Sequence, residues 1–164
     1  MGLFTKRIES FAVPYEEEVK TMISVNGVSI LGALALKADF AELDRFSNVK
    51  GFTSYLRTAP GVDASNGEIH IGHVNKQSRK LALRMLIQGL PHYWSSNEGI
   101  KNFRENKLKG KSRGKVRIAI ARKLLVCIYF MLKRNELYRY TNQFLYAKKL
   151  KKLNNIINRY KKVA

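Results

Sequence analysis

The stretch SVNGVSILGALALKA, residues 24–38, decides how this chain is read. Gly27 sits in a polar turn, and an apolar, alanine-rich segment follows through Ile30, Leu31, Leu34 and Leu36. That pattern predicts a helix in which Gly32 and the alanines allow close approach of another backbone. Upstream, residues 4–23 are mostly polar. Glu16, Glu17 and Glu18 follow Pro14, which starts or breaks a helix, and Met22 and Ile23 lead into the turn. Helix, glycine turn, helix is the outline of a helix-hairpin-helix unit, in which turn amides and a helix N-terminus face phosphate. A purely structural glycine turn between packed helices gives the same pattern.

Moving outward, DFAELDRFSNVKGFTSYL offers Ser47 or Asn48 as the cap of a short helix ending near Tyr55. Residues 58–75 read as a loop containing a short β-hairpin, because Ile69 and Ile71 alternate with Glu68, His70 and Gly72. KQSRKLALRMLIQGL then reads as a helix ended by Pro91. Leu81, Leu83, Met85, Leu86 and Leu90 form its apolar surface, and Arg79, Lys80 and Arg84 face solvent or ligand. A polar helix over residues 95–108 precedes the basic linker KLKGKSRGK. VRIAIARKLLVCIYFMLK, residues 116–133, is a buried-helix candidate, and Leu137 to Val163 is a basic amphipathic tail. The expected fold is mainly α. It comprises a helix-hairpin-helix-like unit, a helical domain with a loop or short β-hairpin insertion, and a basic C-terminal helix. The expected divisions are residues 1–19, 20–135 and 136–164.

Charge narrows the function. The 164 residues carry a net charge of +19. Residues 1–100 hold 11 Lys/Arg against 10 Asp/Glu, whereas residues 101–164 hold 20 against 2, a net of +18. Cations at that density repel one another unless a polyanion neutralises them. Nucleic acid is the first candidate partner, because phosphate contacts supply most non-specific affinity. An anionic membrane surface is the second. Cys127 is the one cysteine, so neither an internal disulfide nor a cysteine zinc site is available, and it reads as a packed core thiol. The start MGLFTKRIES lacks the apolar run of a signal peptide, and LLVCIYFML is too short to span a bilayer. A soluble cytoplasmic protein without stable membrane insertion is expected.

Four groups of residues are candidates for chemistry. Ser65, in an S-N-G turn, is on local grounds a turn residue, although Asn66 and Gly67 offer amides and Lys76, Arg79 and Lys80 follow. His70 and His73 lie near Asp63 and Glu68 but complete no metal-binding spacing, and no metal is assigned. Asp39, Glu42 and Asp44 form a small acidic group that could orient a basic side chain, although capping and solvation explain them adequately. Lys111, Arg113, Lys115, Arg117, Arg122 and Lys123 flank or line a helix that otherwise wants burial, so its charged edge reads as a phosphate-binding surface.

Several blocks in order carry a resemblance: NGVSILGALALKADFAELDRFSNVKGFTSYLRTAPGVDASNG, GHVNKQSRKLALRMLI and GKSRGKVRIAIARKLLVCIYFMLK. Over residues 20–135 the chain resembles the C-terminal part of bacterial insertion-sequence transposases that combine an N-terminal DEDD, RNase H-like domain with a C-terminal serine-bearing domain. The resemblance implies that Ser65, five residues beyond Pro60 and seven before Gly72, is the nucleophile that joins a DNA phosphate. It implies DNA as partner, a structured guide RNA, self-association, and Mg2+ held only by the acidic domain. Gly27, Pro60, Gly61, Gly67 and Gly72 would shape the turns, and Lys76, Arg79, Lys80 and Arg84 would join the 111–123 cluster on nucleic acid. The chain departs from the family pattern at Arg57, at Asn66 after the serine, at Val74-Asn75-Lys76 and at Ser78. On this reading it is a C-terminal fragment without the DEDD domain. It would be inactive alone unless another chain supplied that domain, and a non-catalytic nucleic-acid-binding or regulatory role is the alternative.

Overall fold

The computed structural model describes residues 10–56, 58, 62–65, 68–71 and 81–161, with the two short strands described by backbone alone. The fold is mainly α-helical, a bundle of several helices. Helix α1 (Glu16–Ile23) begins two residues after Pro14 with three glutamates in its first turn, where the helix dipole favours negative charge. Lys20 closes ion pairs on Glu16 at 2.8 Å and Glu17 at 2.9 Å. The hydrogen bond to Glu16 is the main reason its ammonium is pushed up to about 12. Val19, Met22 and Ile23 are buried.

Helix α2 (Ile30–Phe40) follows the glycine turn, and Ser29 caps it by accepting a hydrogen bond from the Gly32 amide at 3.0 Å. It is apolar almost all round, as a central helix must be, and Ala33, Leu34, Leu36 and Phe40 are buried together with Lys37. After a 3-10 turn (Leu43–Arg45) comes α3 (Val49–Tyr55), capped by Asn48, whose Oδ1 accepts from the Gly51 amide at 2.9 Å. Phe52 on α3 is fully buried, with ring contacts to Phe40, Phe46 and Tyr129. Strands β1 (Val62–Ser65) and β2 (Glu68–Ile71) pair antiparallel, with Val62 opposite Ile71 and Ser65 opposite Glu68.

Helix α4 (Leu81–Ser95) buries Ala82, Leu86, Leu90 and Tyr93, a spacing that keeps one face inward. The expected stop at Pro91 does not occur, and the proline lies inside the helix. A proline there removes one backbone hydrogen bond, at a cost of roughly 3 kcal/mol. Burial of Tyr93 beyond it, with its ring 6.0 Å from that of Tyr138, offsets that loss. Helix α5 (Glu98–Leu108) is capped by Asn97 and has no buried residue. Helix α6 (Arg113–Arg134) buries Val116, Ile120, Leu124, Leu125 and Ile128 along one stripe and ends at Asn135 in a left-handed conformation. Helix α7 (Gln143–Lys161) buries Leu153, Ile156 and Ile157.

The helices share one apolar cluster running from Ala12 to Ile157. Helix α2 packs on α1 and α4, α6 receives α1, α3, α4 and α5, and α7 closes on α1. The tightest approach joins the glycine turn to α4. Gly27 has φ +93°, and a Cβ added there would lie 2.2 Å from the Gly89 carbonyl oxygen. A Cβ on Gly89 would lie 2.0 Å from the oxygen of Gly27. Cys127 is only half-buried, with its Sγ 3.6 Å from the Sδ of Met131, and burial pushes its thiol pKa up.

Candidate nucleic-acid interface

Most of the predicted cations among the described residues lie where the packing leaves them exposed. Burying Val116, Ile120, Leu124 and Ile128 turns the opposite face of α6 to solvent. Lys111, Arg113, Lys115, Arg117 and Lys123 are accordingly exposed, and Arg122 is half-buried. Four of these cluster at the N-terminal end of α6, whose first turn holds no acidic residue. The capping Ser112 makes no side-chain cap hydrogen bond. The positive end of a 22-residue helix thus coincides with Lys111, Arg113, Lys115 and Arg117. Dipole and side chains carry the same sign there, an arrangement that favours an anion. Arg84 is exposed on the first turn of α4.

Further along, aromatic rings order the cations. Lys123 Nζ lies 4.5 Å from the centre of the Phe103 ring and Lys107 Nζ 5.7 Å from it, while the Arg104 guanidinium lies 4.7 Å from the Trp94 ring. Sequence reading missed Arg104, Trp94 and Phe103, and placed Lys107 only in the basic linker. Their spacing along α5 was visible, but the packing of α5 against α4 and α6 that interleaves them is tertiary.

The glycine turn is packed on one side against α4. Gly27 meets Gly89 of α4. The surrounding turn is pinned to the segment before α7: the Tyr138 amide donates to Ser24 Oγ at 2.9 Å, Asn26 Nδ2 donates to the Tyr140 carbonyl at 2.9 Å, and the Asn142 amide donates to Asn26 Oδ1 at 3.3 Å. Lys149 of α7 donates to the carbonyls of Ile23 and Val25 at 2.8 and 3.1 Å, and desolvation pulls it down to about 8. A second cation, Lys37, is only 3% exposed. It pairs with Glu18 at 2.7 Å and Glu42 at 3.6 Å, and the Tyr15 ring lies 4.5 Å away. Of the acidic group noted in the sequence, Glu42 therefore does orient a basic side chain.

Ser65 is the last residue of β1, opposite Glu68 across positions 66 and 67. Pro60, Gly61, Gly67, Gly72, Lys76, Arg79 and Lys80 lie outside the described residues, as does His73. Among the described residues no group of three or more His, Cys, Asp or Glu is placed to hold a metal ion, and no helix is long and apolar enough to cross a membrane.

The described residues form a mainly helical fold with a cationic, solvent-facing surface on α6. Residues 19–104, more than half of the chain, match the Transposase IS116/IS110/IS902 family, and the chain belongs to that family. No curated protein and no solved structure matches it. The match corrects one expectation. The chain is not a C-terminal-only fragment lacking the family's domain, because the IS116/IS110/IS902 transposase domain itself aligns from Val19 in α1 to Arg104 in α5. The separated blocks used to assign the resemblance gave its order but not which part of the family they represent.

Proposed function

We propose that this chain binds nucleic acid, DNA first, as a member of a transposition system, holding the phosphate backbone chiefly through the N-terminal end of α6. The observation that carries this reading is the coincidence of Lys111, Arg113, Lys115 and Arg117 with a helix N-terminus that has no acidic residue in its first turn. Phe103 and Trp94, interleaved with Lys107, Lys123 and Arg104, extend the surface. On this reading the role is nucleic-acid binding or regulation without chemistry of its own. Binding is expected to weaken steeply with salt, with a slope near 0.9 per duplex phosphate contact. Replacing Arg113, Lys115 and Arg117 together by Gln lowers affinity for all sequences and flattens that slope by about 2 to 3. Fluorescence anisotropy against salt measures both, and a flat response of the unaltered chain overturns the reading.

A second reading gives Ser65 the nucleophile's role in strand transfer. It is favoured by the family match, which spans position 65. Lys76, Arg79, Lys80 and Arg84 would then hold the reacting strand, with a guide RNA and a further copy of the chain as partners. Incubation with supercoiled DNA, RNA and Mg2+ followed by denaturing electrophoresis tests it. A covalent protein–DNA adduct that Ser65→Ala abolishes, with binding retained, establishes this reading. Absence of an adduct under all these conditions leaves the binding role alone.

A further inference from the structure

A cleft of about 700 Å3 opens between the 26–29 turn, the C-terminal end of α4 and the first half of α7. Ser29, which caps α2, lines it together with His92, Ser96, Lys148, Lys149 and Lys152. Among the described residues no Asp or Glu lines it. Lys148 and Lys152 are one helical turn apart and exposed, and neither has an ion-pair partner within 4 Å among the described residues. Three lysines and the positive end of α2 thus face one concave space with no counter-charge, although Lys149 is already committed to two carbonyls. The same stretch of α7 carries a different feature, Phe144, outside the cleft lining. Phe144, one turn before Lys148, is 78% exposed, the most exposed large apolar side chain described, and Leu145 beside it is 46% exposed and lines the cleft.

Cations that track a backbone next to an exposed aromatic face are the elements that hold unpaired nucleotides. We propose that this cleft seats a backbone phosphate of a single-stranded nucleic-acid segment, with Phe144 as the stacking platform for the adjoining unpaired base. Lys148 and Lys152 supply the charge, and hydrogen bonds from Asn26 and to Ser24 hold the turn that lines the cleft. The space is nucleotide-sized, and an open aromatic adds nothing to a duplex whose bases are already stacked. The proposal rests on the nucleic-acid reading above but concerns a surface separate from the α6 N-terminus.

The test uses the full chain with labelled single strands of DNA and of RNA and with a DNA duplex of the same sequence. Lys148→Gln/Lys152→Gln is expected to weaken single-strand binding about ten-fold and to reduce the salt slope by about 1.4, at roughly 0.7 per contact. Phe144→Ala is expected to weaken single-strand binding about five-fold or more and to leave duplex binding unchanged. These residues are exposed, so unchanged thermal melting of each variant shows that the fold is intact. Protection of Lys148 and Lys152 from acetylation by bound single strand provides a second measurement. A preference for one sugar identifies the source of the strand and supports the proposal equally. Wild-type single-strand affinity in either variant, with the unaltered chain binding normally, overturns it and leaves the α6 reading standing. Failure of the unaltered chain to bind any nucleic acid removes both.

Discussion

Two residues show how much depends on a single atom. Gly27 combines φ +93° with a contact to Gly89 that leaves no space for a Cβ. Gly27→Ala is expected to destabilise by roughly 3 kcal/mol, from left-handed strain and forced separation of the turn from α4. In a chain of this size that lowers Tm by about 6–12 °C, measurable by circular dichroism. Gly89→Ala should behave similarly without the φ penalty. Lys149 carries a pH signature. Its folded pKa, about 8, lies below the usual lysine value of 10.5 because burial disfavours the ammonium. The unfolded chain therefore binds more protons between these values, so the Lys149 contribution to stability rises as pH goes from about 8 to 10.5 and is flat below. Lys149→Met is expected to flatten the pH dependence of denaturant midpoints in that window. An unchanged slope would show that the group titrates alike in both states. Both residues could be located in the sequence, Gly27 by its turn and Lys149 only as one of many tail cations, but their partners 62 and more than 120 positions away could not.

At the scale of elements, apolar periodicity located α4 and α6 because each buries a face whose residues recur at helical spacing, whereas the continuous apolar run marked α2 and the cap marked α3. Caps were legible too, since Asn48 closes its turn through one side-chain oxygen. The end of α4 was not legible. Local chemistry says that Pro91 stops a helix, and the burial of Tyr93 overrides it. The helices also differ in how firmly they are held. Helix α5 has no buried residue, whereas α6 has eight. Hydrogen exchange is expected to be fast across α5 and slowest in the middle of α6, near Leu124 and Ile128. Equal protection of the two would contradict this packing hierarchy. Nucleic acid bound on the α6 N-terminus should slow exchange in α5 as well, since Lys107 and Lys123 share the Phe103 ring.

For the whole molecule, the net charge of +19 dominates. Among the described residues, Lys20, Lys37 and Lys161 pair with glutamates of α1 and its neighbours, far fewer cations than the chain carries. Self-repulsion should therefore outweigh attraction, and Tm is expected to rise when salt goes from about 50 to 500 mM, as screening lengths shrink. A fall in Tm would mean that the few ion pairs matter more than the excess charge. Polyanions should raise Tm further by binding the folded state, by roughly 2.7 kcal/mol at one hundred times Kd.

By itself the sequence determined the helical class, most helix positions, the asymmetry of charge and the order of blocks that marks the transposase family, because periodicity, capping and composition are local properties. The tertiary structure decided which cations share a surface, how aromatic rings interleave them, and that Gly27 of the turn packs against Gly89 of α4. It also decided that lysines of the last helix face the first turn across a cleft. Those outcomes depend on which helices pack together, and that is set by the shape of buried faces far apart in the chain.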